Sequence, residues 1–125
     1  MKNKRNRIDS QDVTKAFVIV ASDFISMSDD IEKARSLAYV AVIAWNISLY
    51  PQDQIPAQIR LVAQEYEKSN PGLIQADLMS QDLQRLVDKK LKEFPYIKRT
   101  ITKIGVEEKG EEYAITTVSI PFVLQ

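Results

Sequence analysis

The sequence predicts an α+β fold: four helices gathered around a buried second helix, at about residues 29–50, followed by a long C-terminal antiparallel β-hairpin at about 96–123. Three observations carry this. Residues 37–45 are nine consecutive positions without formal charge or strong polar group, so that helix is apolar on every side and belongs inside. Elsewhere before Pro95 the apolar residues recur at helical spacing. Beyond it, two β-rich runs, YIKRTITKIGV and YAITTVSIPFV, flank the charged stretch EEKGEE.

Helix one is expected over residues 10–27, where Val13, Phe17, Val20, Phe24 and Met27 are spaced by fours and threes. The β-branched run at 17–20 is the competing sign of a short strand, and the longer period decides for the helix. The short connection at 26–29 implies an antiparallel helix pair. Helix two starts with Asp29 and Glu32 at capping-box spacing, Asp30 adding negative charge to the first turn, and Pro51 ends it. A membrane span needs about 20 apolar residues; this run is shorter and is interrupted by Asn46 and Ser48.

Pro56 suits the first turn of helix three, whose inner line is Ile55, Ile59, Val62 and Tyr66 and whose end is marked by Asn70, Pro71 and Gly72. Helix four is expected from about Ile74 to Phe94, with Met79, Leu83, Leu86, Leu91 and Phe94 inward. Lys89, Lys90 and Lys92 near its end complement the helix dipole. If Lys109 and Gly110 form a two-residue turn, cross-strand partners have numbers summing to 219. Val106 then meets Tyr113, Ile104 meets Ile115, Thr102 meets Thr117 and Ile101 meets Val118, apolar against apolar and hydroxyl against hydroxyl. In that register the apolar face switches partway along. Ile104, Val106, Tyr113 and Ile115 share one face near the tip, while Ile97, Ile101, Val118, Ile120 and Phe122 share the opposite face near the base. Arms of about 11 residues reach roughly 36 Å at ~3.3 Å per residue, too long to hide both patches on four short helices.

One domain over residues 1–125 is expected from the length and the 45% hydrophobic content, with residues 1–8 a solvated basic tail. Seventeen basic and seventeen acidic residues cancel, which argues against a general field for nucleic acid or an anionic membrane. The lack of cysteine and of a signal sequence points to the cytoplasm. With no His and no Cys, Ser-His-Asp triads, Cys-His dyads and ordinary zinc sites are excluded. The three scattered glycines exclude phosphate-cradling loops. The carboxylates Asp29 with Asp30, and Glu107, Glu108, Glu111 and Glu112, read as a helix start and a hairpin tip. Glu107-Glu108-Lys109 resembles the Glu-x-Lys element of certain metal-dependent nucleases. That element belongs in a core strand with an upstream acid, whereas these residues fall at the tip.

The sequence therefore suggests no enzyme, cofactor or metal, and favours a protein–protein interaction or regulatory module. The expected form is a homodimer with Ile104, Val106, Tyr113 and Ile115 as its contact surface. The alternative is a nucleic-acid-associated protein using a basic strip of Arg85, Lys89, Lys92, Lys98, Arg99 and Lys103 together with the tail. A third reading is a small-molecule pocket beside Trp45 and Asn46, whose amide in an apolar helix needs a partner.

Overall fold

A computed structural model describes residues 10–72 and 75–123; the basic tail and Ile74 lie outside the described residues. Four helices precede an antiparallel hairpin: α1 (Ser10–Ile25), α2 (Ile31–Ile47), α3 (Ile55–Ser69), α4 (Ala76–Glu93), β1 (Arg99–Lys109) and β2 (Glu112–Pro121). β1 lies on α2 and β2 on α1, while α4 packs against α2 and α3 on the far side. This is the α+β architecture that the sequence predicts.

The apolar stripe of α1 is buried through Val13, Phe17, Val20 and Ile25, but the helix stops at Ile25, leaving Met27 in the following turn and 67% exposed. The N-cap of α2 is Asp30 rather than Asp29. Its carboxylate accepts from the Lys33 N–H at 2.7 Å, relieving an orphan donor of the first turn. Inside the fold, Trp45 is 1% exposed and meets Phe17 edge to face at 6.1 Å between ring centroids. Within the apolar run Tyr39 is exposed, at 61%, and Leu37 and Ile43 are half-buried. Pro56 falls in the first turn of α3, and Asn70 closes it.

The hairpin corrects the expected register. Its loop is Gly110 and Glu111, and the partners Lys109–Glu112 through Lys103–Val118 sum to 221. Gly110 has φ +64° and Glu111 keeps a negative φ, the pattern of a type II′ turn, which puts glycine first and matches strand twist. A bulge at Thr102 then moves the pairing to Ile101–Ser119, Thr100–Ile120 and Arg99–Pro121. The extra residue rephases β1, so Ile101, Ile104 and Val106 all face the helices. The expected switch of the apolar face is therefore lost on β1 and kept on β2. Thr117 and Ser119 are buried on the same inner face, and Val118 and Ile120 turn outward, 50% and 53% exposed.

Candidate functional site

Two surfaces remain once the hairpin has covered α1 and α2, and they follow from how each strand edge is treated. A two-stranded sheet has two edges, each presenting the N–H and C=O groups of every second residue. The outer edge of β1 is bound at several points by side chains of the neighbouring helices. The Asn46 amide donates to Ile101 O at 3.0 Å and accepts from Ile101 N at 2.9 Å. Trp45 Nε1 donates to Arg99 O at 2.9 Å, and Arg35 Nε donates to Val106 O at 3.2 Å. Just before the strand, Lys90 Nζ donates to Ile97 O at 2.6 Å.

The outward direction of Ile101 and Val106 fixes the opposite edge. Their partners Ser119 and Ile115, with Thr117 and Tyr113 at alternate positions, turn their backbone groups away from β1. Arg99 reaches across to Ser119 O at 2.9 Å. Among the described residues, no hydrogen bond from outside the hairpin reaches a backbone group of β2.

A groove of about 570 Å³ lies beside this edge at the tip end. Val18, Ser22 and Ile25 of α1 form one wall, and Tyr113 and Ile115 the other; Asp29, Glu108, Glu111 and Glu112 line its rim. A smaller hollow of about 300 Å³ lies between Arg35 and Tyr39 of α2 and residues 104–107 of β1. No group of three or more metal-binding side chains is gathered among the described residues. No helix there is long and apolar enough to cross a membrane.

The residues singled out from the sequence are distributed differently from expectation. Val106 is 4% exposed, and Ile104, Tyr113 and Ile115 are half-buried against the helical core. The tip face thus already has a cover within the chain. The supposed basic strip is divided by the bulge at Thr102, which sets Arg99 on the inner face and Lys103, paired with Val118, on the outer one. Arg85 is bridged to Asp82 and Lys89 to Asp23, while Lys92 and Lys98 are exposed. Asn46 lines neither hollow, and both ends of its amide are used by Ile101.

Lys90, one of the three lysines expected to complement the helix dipole, is fully buried. Its ammonium lies 5.0 Å from the centroid of the Trp45 ring, an arrangement that favours a cation. Desolvation nevertheless lowers its pKa from 10.5 to about 8, Lys98 adding to the effect. The spacing gave a signal: position 90 is in helical phase with Leu83, Leu86 and Val87, all buried. Comparison of the chain with protein-family models, curated proteins and solved structures returns no match.

Proposed function

We propose that this chain is a non-enzymatic interaction module that self-associates through its C-terminal hairpin. The supporting observation is the outward face of β2. A strand with one sealed face is normally polar on the other, yet Val118 and Ile120 stand there half exposed, with Val123 70% exposed just beyond the strand. Packing the outward face of one hairpin on that of a second copy covers these side chains by a two-fold arrangement. Ile104, Val106, Tyr113 and Ile115 support this surface from below rather than forming it. The cysteine-free composition supports a cytoplasmic setting.

Molar mass in solution tests the reading. The wild-type chain should run at twice its 14.3 kDa, and Val118→Lys with Ile120→Lys should return it to one chain mass with its helical signal intact. A wild type that stays at one chain mass up to near-millimolar concentration would overturn self-association.

A further inference from the structure

We propose that the groove between α1 and the open edge of β2 takes an extended, basic peptide segment of another protein, which pairs with β2 as a third strand. The inference extends the interaction-module reading to a second surface, separate from the outward face used for self-association.

Four features of the groove carry the inference. Its β2 side supplies backbone groups: the outward N–H and C=O of Tyr113, Ile115 and Thr117 repeat at the spacing an added strand requires. On β1, Asn46, Trp45 and Arg35 meet both backbone groups of Ile101 and the carbonyls of Arg99 and Val106, which interrupts the run of outward groups on that edge and leaves the uninterrupted run on β2. The α1 side supplies an apolar wall in Val18 and Ile25, able to hold alternate side chains of the incoming strand. At the tip end stand Asp29, Glu108, Glu111 and Glu112, with no lysine or arginine among the residues lining the groove. That rim fits lysine or arginine on the occupant.

The geometry also selects a free segment over a second copy's β2. Strands sit about 4.8 Å apart, whereas packed helices need about 8–10 Å. Because β2 lies directly on α1, a second β2 brought to this edge carries its own α1 into the space already filled by the first. A peptide brings no helix. Antiparallel pairing, slightly the more stable per residue, sets the basic end of the occupant at its C-terminus, beside the start of β2.

Hydrogen exchange on the full-length protein tests this at the level of single amides, with a seven-residue probe of alternating valine and threonine ending in Lys-Arg. Without peptide, the amides of Tyr113, Ile115 and Thr117 should exchange fast and those of Ala114 and Thr116 slowly. Added peptide should slow the first set at least tenfold. A probe ending in Glu-Glu should bind about tenfold more weakly at low salt, and Glu111→Lys with Glu112→Lys should reverse that preference. Ser22→Trp should fill the groove and abolish binding; Ser26→Trp, at an exposed position, serves if the first variant fails to fold. Unchanged exchange at the three amides, equal binding of the two probes, or full binding to the blocked variants would overturn the proposal. Tighter binding of a peptide copying residues 1–9 of this chain would replace the foreign segment by the tail of a second copy. Repeating the exchange on the Val118→Lys, Ile120→Lys chain separates the two surfaces, since failure of self-association leaves the groove unaltered.

Discussion

Lys90 shows how a single residue couples the core to pH. No carboxylate within salt-bridge distance faces it among the described residues, and its ammonium is held by one carbonyl and one ring face. Burial therefore favours the neutral amine, and the folded-state pKa falls to about 8. Below pH 8 the lysine is charged in both the folded and unfolded chain, and folding bears the whole cost of burying the charge. Between about 8 and 10.5 only the unfolded chain holds the proton, so stability rises with pH; above that range the effect is complete. A lowering of this size corresponds to about 3 kcal/mol. Urea unfolding should accordingly give a higher midpoint at pH 9.5 than at pH 7, and Lys90→Met should remove most of the rise. An equal rise in the variant would assign the effect to other groups, but not to Tyr66, whose raised pKa makes stability fall as pH climbs through its range. The Tyr66 pKa is raised by its own burial and then by Tyr39.

At the scale of the element, the bulge at Thr102 determines which residues of β1 reach the core. It carries Ile101 to the inner face and its backbone to Asn46. Removing the side chain and removing the residue should have different consequences. Thr102→Ala loses one exposed hydroxyl bond, to Val118 O, and should cost no more than about 1 kcal/mol. Deleting Thr102 forces residues 99–101 to change face, exposes Ile101 and leaves the Asn46 amide buried without partners, a loss of several kcal/mol. Chemical denaturation of the two variants checks the contrast; equal losses would show that the extra residue is dispensable. The helices and the hairpin were legible because periodicity and proline punctuation are local signals. The register was not, because Lys109-Gly110 and Gly110-Glu111 both offer glycine-containing loops and shifting between them preserves which tip residues share a face. No residue type marks a bulge at Thr102, so the inward return of Ile101 was out of reach of pattern reading, whereas simple alternation along β2 already set Val118 and Ile120 opposite Tyr113 and Ile115. Asn46 was legible as an amide needing a partner, but Ile101, 55 positions away, was not nameable as that partner.

Over the whole molecule, the hairpin and the helices complete one another's polar bookkeeping as well as the core. Trp45 Nε1, the Asn46 amide and Lys90 Nζ are donors carried by helices, and each ends on a carbonyl of residues 97–101. Ile97, Ile101 and Val106 belong to the same buried cluster as Trp45 and Phe17. A chain ending at Phe94 would keep all four helices but expose those apolar surfaces and leave the three donors without their carbonyls. Helices can persist through local hydrogen bonds after fixed packing is lost, so the truncated chain should retain its far-UV helical signal. It should lose the near-UV signal of Trp45, bind a hydrophobic dye and unfold over a broad range. Self-association through the outward face of the hairpin predicts a concentration-dependent melting temperature for the full chain, and truncation removes that dependence along with the surface. If residues 1–94 instead melt cooperatively at the temperature of the full chain, with Trp45 still rigid, the helices form a self-sufficient core. The contacts to residues 97–101 would then position the hairpin without stabilising the helices.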